Sequence, residues 1–133
     1  MPFAIVFTKI DKISEKELNG PCVHCDACLR ARSMCVIQDD HQEIEQKILA
    51  ADAIIMASPV YDMNISAQLS AVLNRMRPIY MVHSGVLENK VGAAITTGGT
   101  RYGGVETAKY PMISFYLING MLVTGSVDRK SVV

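Results

Sequence analysis

Short apolar runs alternate with stretches of helical periodicity along this 133-residue chain, which makes it an α/β protein with a parallel sheet. Two further observations support that class. The runs are of strand length and the stretches between them are long enough for crossover helices, which parallel neighbours require. Turn residues also punctuate the chain, at Asn19-Gly20-Pro21 before the cysteine loop and at Ser58-Pro59 and Gly98-Gly99 after strand-like runs.

The elements follow in order. Residues 3–8, Phe-Ala-Ile-Val-Phe-Thr, form a β-type run that the charged segment 9–19 ends. Asp39 or Asp40 offers an N-cap for a helix over 40–50, with Glu43 in the first turn and Ile44, Ile48 and Leu49 as its apolar stripe. Residues 53–57 are continuously apolar, as expected of a strand buried on both faces. Ser58 and Pro59 end it. A helix over 66–76 carries Leu69, Val72, Leu73 and Met76 on one face, and Pro78 closes it. Residues 91–97 read as another buried strand. The glycine-rich segment 98–104 leads into a helix over 105–119, with Gly120 in the C′ position. Residues 121–124 form the last strand. The methionines at 34, 56, 63, 76, 81, 112 and 121 read as packing residues.

Lys+Arg and Asp+Glu each number 13, so the net charge is zero. That argues against nucleic-acid binding through bulk positive charge. No apolar run approaches the roughly 20 residues of a membrane helix, and residues 1–10 lack the layout of a signal peptide. All four cysteines lie between Cys22 and Cys35. Thiols packed this tightly point to a metal or redox site in a reducing compartment, with the cytoplasm as the expected location.

Their spacing is Cys22-x2-Cys25-x2-Cys28-x6-Cys35. Thiolates three apart on an irregular loop can converge on one cubane cluster, and a fourth ligand closes the set. Zinc sites more often use two separated C-x2-C pairs. Val36 stands where the two-cluster bacterial ferredoxin run has proline. The spacing therefore favours a single 4Fe-4S cluster, with zinc and purely structural thiols as the alternatives. His24, between two of the cysteines, reads as a solvent-facing loop residue rather than a ligand.

Two more loops fall at the carboxyl ends of strands, where open α/β sheets bind ligands. In Ser58-Pro59-Val60-Tyr61-Asp62-Met63-Asn64, Pro59 stiffens the turn and Tyr61 can lay its ring on a planar ligand. In Thr97-Gly98-Gly99-Thr100-Arg101-Tyr102-Gly103-Gly104, backbone can approach a ligand closely because glycine has no Cβ. Backbone N–H groups there can meet an anion or a ring carbonyl at the start of the following helix. Each loop alone is equally compatible with a plain turn, and Arg101 with a solvated side chain.

Taken together, the cysteine spacing, Ser58-Pro59-Val60-Tyr61 with Ala67-Gln68-Leu69, and Gly98-Gly99-Thr100-Arg101 with Gly103-Gly104 resemble the iron–sulfur flavoproteins. These belong to the wider NADPH-dependent FMN reductase and flavodoxin-like group, and the resemblance runs over about 3–125. It implies a flavodoxin-like fold that holds FMN near a 4Fe-4S cluster. Cys22, Cys25, Cys28 and Cys35 would ligate the cluster. Ser58, Pro59, Val60, Tyr61, Asn64, Thr97, Gly98, Gly99, Arg101, Gly103 and Gly104 would line the flavin. The resemblance further implies an FMN-dependent oxidoreductase or electron carrier, a donor such as NAD(P)H or ferredoxin, and a homo-oligomer, dimer or tetramer, with no nucleic-acid or membrane partner. The non-enzymatic alternative is a flavin-free iron–sulfur or zinc binding module.

The resembling family begins with a strand, a phosphate loop and a helix, and this chain departs from that pattern. Residues 9–13, Lys-Ile-Asp-Lys-Ile, carry no glycine or hydroxyl cluster to hold a phosphate. By resemblance 3–8 corresponds to the family's second strand. The first, absent here, would lie between it and the next, so two strands are expected to lack their shared neighbour. The tail 128–133, Asp-Arg-Lys-Ser-Val-Val, is what the sequencing-adapter string GATCGGAAGAGCGTCGTG encodes. The expectation is a partial flavodoxin-like domain over 1–127, with its cysteine loop at 20–36, a non-native tail, and a gene fragment overall. A non-functional fragment is the bleakest form of that expectation.

Overall fold

The structure, a computed structural model, describes residues 3–7 (backbone only), 20–100 and 102–125. Arg101, the segment 9–13 and the tail 128–133 lie outside the described residues. In chain order the elements are β1 (Phe3–Phe7), α1 (Ala27–Ala31), α2 (His41–Ala50), β2 (Ala53–Pro59), α3 (Ala67–Arg75), α4 (Arg77–Met81), β3 (Val91–Thr97), α5 (Lys109–Ile118) and β4 (Leu122–Val123). The strands form one parallel sheet in the order β1-β2-β3-β4. The parallel α/β class expected of the sequence is the class observed.

β1 lies directly against β2, with Phe3 opposite Ala53 and Phe7 opposite Ala57. The expected gap between these two strands is therefore absent. Their facing rows of N–H and C=O groups satisfy each other, as paired backbone must. β2 and β3 run in register from Ala53 opposite Val91 to Pro59 opposite Thr97, so both strands end at the same level.

The core lies against one face of the sheet. Ile54 and Met56 of β2 join Ile48 of α2, Leu69 and Val72 of α3, Ile79 of α4, and Met112, Phe115 and Tyr116 of α5 in a single cluster. β2 accordingly alternates between buried and half-buried residues, and Ile95 of β3 is half exposed. The expectation of burial on both faces is thus met on one face only.

Tyr116 ties α5 to the sheet. Its hydroxyl accepts from the Met56 N–H at 3.1 Å and donates to the Ala93 C=O at 2.8 Å. Its ring occupies the space above Gly92, where a Cβ would come within 2.7 Å of Tyr116 Cγ.

Local chemistry sets the helix ends. Ser66 caps α3, its hydroxyl accepting from the Leu69 N–H. At α2 the capping acceptor is Asp39, whose Oδ1 receives the His41 N–H at 3.2 Å. Pro78 does not end the helical path. It sits in the first turn of α4, where its missing N–H costs nothing. α5 begins at Lys109 rather than 105 and thereby holds Pro111 within its first turn. Gly120 follows α5 at φ +69°, as a C′ glycine should. Met56, Met76, Met112 and Met121 are buried, but Met63 and Met81 are exposed and are not packing residues.

Candidate functional site

Two loops leave the carboxyl edge of the sheet side by side. Val60 N–H donates to Thr97 C=O at 2.8 Å, carrying the β2–β3 pairing past Pro59. Ser58 is buried, and its hydroxyl accepts from the Ser66 N–H at 3.0 Å and lies 2.8 Å from Pro59 C=O. It fastens the loop to the start of α3 and turns no oxygen outward.

Tyr61 and Asn64 exchange backbone hydrogen bonds of 2.9 and 3.1 Å around Asp62 and Met63, both of which have positive φ. That is a type I′ turn. Asp tolerates the left-handed region; Met does so at a cost of about 1–2 kcal/mol. The second loop holds it there. Thr107 Oγ1 lies 2.8 Å from Met63 C=O and 2.9 Å from Gly104 C=O. Gly104 is buried at φ +88°, and a Cβ on it would stand 2.5 Å from Met63 Cα. Only glycine permits that approach.

Around this contact the surface is open. Tyr61 and Tyr102 are exposed, as are Thr97, Gly98 and Gly99. A Cβ on Gly99 would meet nothing within 4 Å. Asn64 is exposed, with its Oδ1 accepting from the Ile65 N–H. Gly103 is half-buried against Thr100. Two free aromatic rings beside an exposed glycine backbone suit a flat heterocycle with polar edges, which is the chemistry of an isoalloxazine. The sequence-named residues of 58–64 and 97–104 are thus brought together, apart from Arg101, which lies outside the described residues.

The cysteine segment is built differently from the plain loop the sequence suggests. Ala27–Ala31 form one helical turn that carries Cys28. His24, Asp26 and Arg32 take positive φ and wind the backbone around it. Cys22, Cys25, Cys28 and Cys35 are all free thiols and line one small hollow together with Asp26 and Arg77. His24 N–H donates to Cys22 Sγ at 3.4 Å, while its own side chain is exposed, as expected. Cys35 N–H donates to Glu45 Oε1 at 3.4 Å. Burial pushes the Cys28 thiol up, with the positive charge of Arg77 among the influences that oppose it.

Among the described residues, no three His, Cys, Asp or Glu side chains close on a single metal ion. A tetrahedral zinc would need four sulfurs each about 2.3 Å from one centre. A cubane spreads its four thiolates over separate irons. Four soft thiols around one hollow are the donor set of either group.

Several residues of this region escape sequence reading. Arg75 is fully buried, with its Nη atoms 2.6 and 2.9 Å from the two carboxylate oxygens of Asp39. His41, also buried, places Nε2 3.1 Å from Val72 C=O and Nδ1 3.3 Å from Glu45. The available signal was Arg75 falling three residues after Val72 and six after Leu69, on the apolar stripe of its helix.

Residues 8–129 match the NADPH-dependent FMN reductase family. A protein named iron–sulfur flavoprotein from Methanosarcina thermophila is 44% identical over 113 residues, covering 85% of this chain and 58% of that protein. One of the same name from Methanocaldococcus jannaschii is 41% identical over 121 residues, covering 91% of this chain and 61% of the relative. The chain thus spans about three fifths of the length of these relatives. The crystal structure of a WrbA-like flavodoxin from Agrobacterium tumefaciens superposes with a TM-score of 0.55 at 21% identity, over 61% of this chain and 50% of that one. That likeness shows a flavodoxin-like fold. By its sequence match, the chain belongs to the NADPH-dependent FMN reductase family.

Proposed function

We propose that this chain is the cofactor-bearing part of an FMN-dependent electron-transfer flavoprotein. FMN would rest on 58–64 and 97–104, and a 4Fe-4S cluster on Cys22, Cys25, Cys28 and Cys35. The observation that carries the reading is the four free thiols around one hollow in a chain of flavin-reductase family. When bound, FMN supplies two-electron exchange with a nicotinamide and one-electron exchange with an iron–sulfur centre. The chain's residues supply position. Tyr61 and Tyr102 offer ring faces, Gly98 and Gly99 offer exposed backbone, and Gly104 with Thr107 keeps the Met63 turn in place. His24 N–H and the winding of α1 orient the sulfurs. The family description favours NADPH as donor, with ferredoxin the alternative, and the working assembly is a homo-oligomer in the cytoplasm.

The test is a fluorescence titration of FMN into the purified chain, wild type and Tyr61→Ala. Saturable quenching at one FMN per chain, weakened about tenfold in the variant, is expected for loss of a stacked ring worth about 1.4 kcal/mol. No saturable binding, or equal affinity in both proteins, would overturn the flavin assignment.

A further inference from the structure

We propose that Arg77 is the counter-charge of the cysteine site and holds the reduction potential of its cluster up, while Arg75 anchors the segment that presents Cys35. The inference rests on the cluster reading above and deepens it.

Burying a guanidinium costs several kcal/mol unless it is paired and hydrogen-bonded. Arg75 nevertheless lies on the buried stripe of α3, 1% exposed. Asp39 grips it bidentately, and its Nη2 also donates to Ile37 C=O at 3.3 Å. Its Nε is buried without a hydrogen bond of ordinary geometry. Burial opposes the charge of Arg75, but the hydrogen bonds it donates to the Asp39 carboxylate help to outweigh it and hold the guanidinium more firmly protonated. Ile37 and Cys35 belong to one short segment, so Arg75 anchors the stretch that presents the fourth thiol.

Arg77 approaches the other thiols. It stands two residues on, at the first position of α4, and lines the cysteine hollow itself. It is ion-paired with Asp26 and largely shielded, its side chain 17% exposed. Its charge is felt at Cys22 and at Cys28. The break between α3 and α4 at Met76 thus sets Arg77 in the cysteine hollow while Arg75 holds the segment that carries Cys35.

Four thiolates outweigh the positive iron core they bind, and each electron added deepens the negative charge. Net charge and contacts to the sulfurs are principal determinants of such potentials. The step concerned moves one electron from reduced flavin into the cysteine site. No protein bond forms or breaks, and neither arginine gives up a proton. Arg77 stabilises the more negative product because a fixed positive charge close to the sulfurs attracts the added negative charge. It is a positioning residue, since it acts through the sulfurs.

The experiment is a mediated redox titration of the anaerobically reconstituted chain, followed by electron paramagnetic resonance, with dithionite as reductant. Arg77→Gln should weaken the one-electron reduction equilibrium about tenfold, a midpoint shift of about 59 mV to the negative side. Arg77→Lys, which keeps the charge, should stay close to wild type. Asp26→Asn, which frees Arg77 of its partner, should shift the midpoint the opposite way, and it decides the matter if Arg77→Gln fails to hold a cluster. Unchanged midpoints in Arg77→Gln and Asp26→Asn, at wild-type iron and sulfide content, would overturn the inference and leave the cluster standing. Equal shifts in Arg77→Gln and Arg77→Lys would overturn it too, by making geometry rather than charge the cause. Wild-type protein that takes up no iron and sulfide would sink the cluster reading itself, and this inference with it.

Discussion

Gly104 rests on the backbone of Met63: a methyl group at residue 104 would stand 2.5 Å from Met63 Cα. The loop after β3 therefore supports the loop after β2, and Thr107 closes the contact through Met63 C=O. Together they keep a strained turn in the one shape that leaves Tyr61 exposed beside the glycine backbone.

Gly104→Ala should break that support. The new methyl group overlaps backbone and sits at a φ of +88°, so a loss on the order of 2–3 kcal/mol is expected. Gly99→Ala meets nothing within 4 Å and should change stability by less than about 0.5 kcal/mol. Urea unfolding of both variants checks the contrast. Equal stability would mean that the loops do not lean on each other.

Gly92 and Tyr116 form a second such pair. Gly92→Ala drives a methyl group into the Tyr116 ring and should cost about 1–3 kcal/mol. Tyr116→Phe keeps the ring but leaves Met56 N–H and Ala93 C=O without the hydroxyl, again at about 1–3 kcal/mol. Combining the two should be less than additive, because both act on one contact. Strict additivity in a double-mutant cycle would contradict it.

The same tyrosine makes stability depend on alkaline pH. Burial pushes the Tyr116 hydroxyl above the ordinary tyrosine range, and the Met56 N–H bond offsets only part of this. In the unfolded chain the group loses its proton near pH 10, whereas the folded chain retains it. Above about pH 10 the unfolded state then binds fewer protons, so stability falls as pH rises, by at most about 1.4 kcal/mol per pH unit. Unfolding free energies from pH 9 to 11 should show this loss in wild type and a smaller one in Tyr116→Phe. Identical pH profiles would show that the hydroxyl ionises freely in the fold.

Cys28→Ala should abolish assembly of a four-ligand cluster while leaving the chain folded, since Cys28 is only half-buried. Iron and sulfide should fall to background, and the cofactor-free variant should unfold within about 1 kcal/mol of wild type. Full retention of iron and sulfide would remove Cys28 from the ligand set.

Much of the framework was legible because its signals are local. The apolar run of β2, the Ser66 cap of α3 and Gly120 after α5 each depend on a few adjacent residues, and each stands where local chemistry puts it. The cysteine spacing likewise carries its own geometry. What escaped depends on distant partners or very short elements. α1 and α4 have five residues each, too few for helical periodicity to register. A charge on a helix is ordinarily assigned to solvent, yet Arg75 is buried because Asp39, 36 positions away, meets it. Met63 looks like a packing residue until Gly104, far along the chain, fixes it in an exposed turn. The direct pairing of β1 with β2 also went unforeseen, because the family resemblance put another strand between them.

The most direct test of the redox reading is one preparation, purified without oxygen and assayed for iron, acid-labile sulfide, zinc and FMN, with its visible spectrum recorded. Iron and sulfide near four of each per chain, with flavin bands on added FMN, are the predicted result. Zinc in place of iron, or neither metal together with no flavin uptake, would contradict it.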